Sequence, residues 1–222
     1  MGNDNQKKVI ICLAASRKTG GRCIAGKDVS DNKSWVRPIS DGEKDGIDNQ
    51  QSRYSDGNPA QILDIIEIPI LEPCPKQHQK ENFLVDRKEW KKQGSFKRQD
   101  LKSLLDNPPS LWHDSDSSYY GTNDRIHTSQ ADTINTSLNL IEAQCKIIVR
   151  TEGKEFNNPK KRVRCSFKYK NTDFVLPVTD PMVKQEYEIK PEKEYDLGQK
   201  YICVSLGLDY KGYLYLLAAT II

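Results

Sequence analysis

The feature that most constrains this chain is a pattern it carries twice. Arg22-Cys23 is followed by Trp35-Val36-Arg37-Pro38-Ile39-Ser40-Asp41, and Arg164-Cys165 by Phe174-Val175-Leu176-Pro177-Val178-Thr179-Asp180. Each copy reads Arg-Cys, strand, turn, then aromatic-Val-x-Pro-aliphatic-hydroxyl-Asp. Each follows a strongly apolar first strand and precedes a longer connection and another strand. A strand-turn-strand unit of this size cannot bury its apolar face alone, so a chain that repeats it builds the same small β-unit twice. With 222 residues, two units of about 100 residues can each enclose a modest core without a disulfide or metal staple.

Strand signals recur between Gly, Pro, Asn and Asp. Residues 8–15, 22–27, 34–39, 61–71 and 83–85 read as strands of a first unit, with Pro69 marking a sheet edge or bulge. Gly20-Gly21 reads as a turn, and residues 41–59 and 73–80 as loop and turn. The second unit begins with a strand at 138–151. Residues 162–170 then alternate strictly, placing Val163, Cys165, Phe167 and Tyr169 on one face and Arg164, Ser166, Lys168 and Lys170 on the other. Residues 174–178 follow, then an acidic connector at 180–198 with a short helix. A hairpin of 200–208 and 213–222 turns around Asp209-Tyr210-Lys211-Gly212. The best helix candidate is 95–106, with Ser95 as its cap and Asn107-Pro108-Pro109 stopping it. Residues 111–137 read as irregular loop. The expected fold is all-β with minor helix: two tandem five-stranded β-barrels, at 1–95 and 138–222, joined by a helix and irregular connector at 96–137; the family resemblance given below implies that both barrels are OB-like.

Bulk composition narrows the function class. The net charge is only +3, but charge is segregated along the chain. Residues 144–170 hold nine basic side chains against Glu152 and Glu155, whereas 40–72 hold eight acids against two bases. A chain so patterned can present a basic patch despite near-neutral totals. No apolar run approaches the roughly 20 residues needed to cross a bilayer. Val9–Ala15 is short and meets Ser16-Arg17-Lys18 at once, so it reads as a strand rather than a signal peptide. The six cysteines lack CxxC spacing and sit in apolar or alternating stretches, as free thiols in a reducing cytoplasm do. Neither they nor the three histidines have metal-ligand spacing.

Several motifs then resemble a known family. Ser16-Arg17-Lys18-Thr19-Gly20-Gly21-Arg22-Cys23-Ile24-Ala25-Gly26, followed by Trp35–Ser40, resembles the start of the bacterial family described as dual OB-fold domain proteins. Trp112-His113-Asp114, Gly121-Thr122-Asn123-Asp124-Arg125-Ile126 and Cys203–Gly207 through Gly212-Tyr213 extend the resemblance over nearly the whole chain. The resemblance implies two OB folds in one module and carries no activity with it.

Candidate binding residues fall in three groups. The first is the hairpin of Ser16, Arg17, Lys18 and Arg22, where cations flank two glycines. Glycine lets backbone N–H groups approach an anion, and Arg offers a fork of donors to phosphate. OB folds bind ligands at this loop and on the adjoining strand face. An ordinary exposed hairpin is the competing explanation. In the second group Trp35 and Arg37 share a strand face and suit stacking a base and holding its phosphate; Trp35 also suits a core position with Arg37 covering it. Arg164, Lys168 and Lys170, extended by Lys160, Lys161 and Arg162, would be the matching basic face of the second unit, or a solvated strand face. The third group is the loop set Trp112, Asp114, Asn123, Asp124 and Arg125, suited to folding over a ligand or to pinning the barrels. No nucleophile elbow, paired acid–base motif or metal set stands out. The sequence therefore points to a non-enzymatic module, needing no cofactor, that binds nucleic acid or a nucleotide. The alternatives are a protein-interaction component of a multi-component bacterial defence or DNA-handling system, and a nucleotide- or nucleic-acid-processing enzyme with a dispersed site.

Overall fold

The structure is a computed structural model and describes residues 6–18, 21–41, 46–113 and 115–222; the side chains of Arg17 and Lys18 are not described. The chain forms two compact units, Met1–Leu105 with Asn135–Ser137, and Asp106–Ile134 with Leu138–Ile222. Residues 96–137 are thus shared between the units.

The first unit is a closed barrel of β1 (Lys7–Lys18), β2 (Gly21–Asp28), β3 (Trp35–Ile39), β4 (Asp64–Pro73) and β5 (Asn82–Val85), with β6 (Lys91–Ser95) added outside β4. The order around the barrel is β1-β2-β3-β5-β4 and back to β1. All pairs are antiparallel except β3 with β5. Closure needs one strand with two partners. β1 serves: residues 10–18 pair with β2, with a bulge at Cys12–Ala14, and residues 7–11 pair with β4. The core is aliphatic, from Ile10, Ile24, Val36, Ile47, Ile66 and Ile68, with Trp90 fully buried beside them. β4 alternates buried and half-buried residues over 64–70, and a bulge falls at Ile70–Glu72, next to Pro69 as expected.

The second unit is a six-stranded curled sheet. Its strands are β7 (Arg125–His127), β8 (Leu138–Glu152), β9 (Lys160–Tyr169), β10 (Thr172–Pro177), β11 (Glu194–Tyr210) and β12 (Tyr213–Ile221), in the order β10-β9-β8-β11-β12-β7. A parallel bridge between Val178 and Ala218 joins the end of β10 to β12. This is the counterpart of the β3–β5 pairing in the first unit. The repeat therefore lands on equivalent strands, β2–β3 and β9–β10. The apolar face of β9 packs as its alternation demands: Val163, Cys165, Phe167 and Tyr169 are buried, and Phe167 stacks on Phe174 at 5.3 Å between centroids. Helix α1 (Pro181–Glu188) starts where Asp180 accepts from the N–H groups of Met182 and Val183, with Pro181 in the first turn. The terminal hairpin turns through Lys211 and Gly212, both at positive φ.

Three local expectations give way. Residues 98–104 form a 3₁₀ helix, and Ser95 ends β6 instead of capping it. Leu101 and Leu104 are buried, so apolar spacing alone suggested a longer helix. β6 (Lys-Lys-Gln-Gly-Ser) carries no apolar signal because it lies at a sheet edge, where lysines discourage further pairing. β11 starts at Glu194, inside the expected connector, because a bulge at Asp196–Gly198 breaks its alternation. Among the described residues no helix is long and apolar enough to cross a membrane.

Candidate functional site

The first-unit candidates are mostly absorbed into the barrel. Ser16 is buried. The side chains of Arg17 and Lys18, and the turn residue Gly20, lie outside the described residues. Gly21 does permit a close backbone approach, but of the chain itself. A Cβ there would run into the Ile47 carbonyl, and Arg22 and Ile47 exchange both backbone hydrogen bonds, at 2.8 and 2.9 Å. Trp35 and Arg37 do not form an exposed stacking face. All five residues of β3 are buried, because the strand is flanked on both sides, by β2 and β5. The Lys27 ammonium lies 5.4 Å from the Trp35 ring centroid. The Arg37 guanidinium is held by Glu81 at 3.1 Å and donates to the Ser137 hydroxyl at 2.8 Å. Ser137 in turn donates to Glu81.

The loop candidates bond within the second unit. Trp112 packs against its core. Asn123 donates to the Asp173 carbonyl at 2.9 Å. Arg125 clasps Asp116 with two hydrogen bonds, 3.0 and 2.6 Å, and stacks on Tyr213 at 4.1 Å. Asp124 is 1% exposed and accepts from the Ser118 N–H and hydroxyl, both at 2.7 Å. Gly121 is required there, since a Cβ would collide with the Asp124 carboxylate. Asp114 lies outside the described residues.

What the second unit does assemble is a cleft of about 440 Å³. Its walls come from the end of β8 (Glu152), the following loop (Gly153, Phe156, Asn158) and β9 (Lys160, Arg162, Arg164). The end of β10 with Thr179, Lys184 of α1, and Tyr120 complete it. Strand alternation puts Lys160, Arg162 and Arg164 on one side of β9. Arg164 was expected on an exposed face with Lys168 and Lys170; it is instead only 9% exposed. Its Nε and Nη2 donate to Glu152 at 2.6 and 2.9 Å, because β8 ends with that carboxylate beside it. Its Nη1 lies 3.6 Å from Asp124. Lys168 is exposed outside the cleft lining; Lys170 is exposed and donates to the Asn107 side chain at 2.7 Å.

Glu152 also accepts from Arg150 at 2.9 Å. Burial raises its pKa, but the two guanidiniums outweigh that and hold it below the ordinary glutamate value. Arg150, Arg164, Glu152 and Asp124 thus form a charge-balanced quartet. Two buried polar atoms of the lining have no hydrogen-bond partner: Arg164 Nη1 and Thr179 Oγ1. At the mouth, Lys160 and Arg162 are exposed, and neither has a carboxylate partner among the described residues. Aromatic rings gather at the same place. Tyr119 and Phe156 are 71% and 65% exposed and meet edge to face at 5.8 Å, and Tyr120 contacts Tyr119 at 4.8 Å. The Tyr120 hydroxyl bonds to Glu155 and accepts from the Gly153 N–H at 2.6 Å, tying its loop to the β8–β9 loop. Sequence reasoning missed this trio, along with Thr179 and Lys184. The available signal was large aromatics inside otherwise polar loops.

An orphaned buried hydroxyl is a cost in the free protein. Thr179→Val is therefore expected to leave the thermal unfolding midpoint unchanged or raise stability by up to about 1 kcal/mol. A clear fall in the midpoint would show that Thr179 Oγ1 is bonded after all. Among the described residues no group of His, Cys, Asp or Glu is arranged to hold a metal ion.

Compared with known families, residues 8–221 match the dual OB-containing domain. No curated protein and no solved structure matches the chain.

Proposed function

The chain belongs to the dual OB-containing domain family, and on that premise we propose that it is a non-enzymatic module binding single-stranded nucleic acid through the cleft of its second unit. The observation that carries this is the coincidence, at one cleft, of exposed cations without carboxylate partners and exposed aromatic rings. Lys160 and Arg162 supply the phosphate contacts. Tyr119, Tyr120 and Phe156 supply faces on which bases stack, a sequence-tolerant contribution worth about 1–3 kcal/mol per base. The strand face and the loop between the first two strands of an OB fold are where such ligands commonly sit, and β9 and residues 153–159 are those parts of this unit. The free cysteines suit a reducing compartment such as the cytoplasm.

The test is a salt titration. A labelled single-stranded oligonucleotide is expected to bind with log K falling linearly against log salt, with a slope of roughly −0.7 per phosphate contacted. Binding should be stronger to single strands than to duplex of the same length, because stacking on the rings requires unpaired bases. Absence of binding at low salt, or a slope of zero, refutes the proposal.

A further inference from the structure

Beyond the quartet, the described lining of the cleft holds three cationic side chains, Lys160, Arg162 and Lys184. Resting on the function proposed above, we infer that the cleft takes the end of a single strand that carries a terminal phosphate monoester, and that Lys184 sets this preference.

Glu152 is the only carboxylate among the described lining residues, and the Arg164 and Arg150 guanidiniums hold it at 2.6 and 2.9 Å. Asp124 stands 3.6 Å from Arg164. Those four charges cancel, which leaves Lys160, Arg162 and Lys184 to set the field in the cleft. Lys160 and Arg162 have no carboxylate partner among the described residues. Lys184 reaches Glu188 at 3.4 Å along α1, with side chains 43% and 39% exposed. An exposed pair of this kind contributes little, so the ammonium turns toward an anion at small cost. An internal phosphodiester brings a single negative charge. A phosphate monoester brings about 1.5–2 near pH 7, with three strong acceptor oxygens. Three cations in one cleft therefore match the terminal group better than the internal one.

The register of the strands places these cations. β9 and β10 pair as far as Arg164 opposite Pro177, and the Val178 N–H donates to the Val163 carbonyl at 3.1 Å. One step further along that register, Thr179 lies across from Arg162, and both line the cleft. Helix α1 starts two residues on, at Pro181, packs against β9, and closes its first turn with the Lys184 N–H on the Asp180 carbonyl at 2.9 Å. Arg162 and Lys184 thus enter from the same end of the strand pair. Lys160 lies two residues, about 7 Å, further toward the loop at 153–159. The volume of about 440 Å³ suits one small ligand rather than a run of nucleotides. Tyr120 and Phe156 also line it, so the last nucleotide stacks its base there and sets its phosphate between Arg162 and Lys184. Lys160 takes the next phosphate along the strand. A nucleotide from the middle of a strand would need a way out for the chain on both sides; a terminal one needs a single exit.

The experiment compares one short single-stranded DNA in four forms: with hydroxyls at both ends, with a 5′-phosphate, with a 3′-phosphate, and closed into a circle. Wild type is expected to bind a phosphorylated linear form about 10-fold more tightly than the unphosphorylated one, the worth of one added charge-assisted hydrogen bond. The difference between the 5′ and 3′ forms tells which end enters. The circle, which has phosphodiesters and no end, should bind no better than the unphosphorylated form. Lys184→Gln, at an exposed helix position, should cut the preference severalfold, with the melting midpoint measured alongside. A mere loss of general attraction would weaken all forms alike and leave the ratio intact. Lys168→Gln, outside the cleft lining, should leave the ratio at its wild-type value. Equal affinity of phosphorylated and unphosphorylated forms, a circle that binds as tightly as the phosphorylated forms, or a ratio that survives Lys184→Gln overturns this inference alone. Failure of every form to bind at low salt overturns the proposed function and this inference with it.

Discussion

Glu81→Ala should destabilise the first unit by about 1–3 kcal/mol, because it removes a buried acceptor from both the Arg37 guanidinium and the Ser137 hydroxyl. Arg37 is 4% exposed and Glu81 8%. The pair is completed by Ser137, which receives a hydrogen bond from Arg37 and donates to Glu81. The backbones are joined too: the Arg37 N–H donates to the Glu81 carbonyl at 2.8 Å, where the loop enters β5. Removing the carboxylate takes the acceptor from the buried Ser137 hydroxyl and one partner from the Arg37 guanidinium. For a unit of about 100 residues this corresponds to a fall of roughly 5–15 °C in its melting midpoint. Trp35 and Trp90 are buried in that unit and report its unfolding by fluorescence. Replacing both partners together, Arg37→Met with Glu81→Leu, should recover most of the loss, since a well-packed apolar pair replaces such an ion pair at little cost. A Glu81→Ala protein that melts with wild type would show that the buried carboxylate adds nothing to the unit's stability.

The second large effect concerns binding. Lys160→Glu with Arg162→Glu is expected to weaken single-stranded nucleic-acid affinity on the order of 100-fold at low salt. It should also lower the magnitude of the salt slope by roughly 1.4, about 0.7 for each phosphate contact removed. Both side chains are exposed and unpartnered by carboxylates among the described residues, so the melting midpoint should barely move. That separates this variant from changes at Arg164, which sits inside the quartet. The same reversal at Lys168 and Lys170, outside the cleft lining, should cost far less. Affinity and slope that stay at wild-type values in the Lys160/Arg162 variant would remove the phosphate track from the cleft. Equal losses at Lys168/Lys170 would move it along β9 to the open strand face.

The strand pattern was legible because it depends on neighbours two residues apart. β9 shows this plainly: its four apolar residues are buried as the alternation requires, whatever lies around them. The repeat was legible for the same reason, and its two copies sit on equivalent strands, β2–β3 and β9–β10. Elements without local apolar periodicity escaped. β6 is wholly polar, β7 is three residues long, and β11 hides its first turns behind a bulge.

The residues with charge behaved differently. Sequence determined that Arg37 and Arg164 carry cationic side chains on strands of two related β-units. Only the tertiary structure decided that Glu81 closes over the first, and that Glu152 and Asp124 neutralise the second. The physical reason is that a side chain's burial and ion pairing depend on residues distant in the chain. Asp124 is 40 positions from Arg164, and Glu81 is 44 from Arg37. Strand periodicity says which way a side chain points and nothing about what waits there. The cleft followed the same rule: the rings of Tyr120 and Phe156, the exposed Lys160 and Arg162, and buried polar atoms of Arg164 and Thr179 come from separate segments that only the folded sheet brings together.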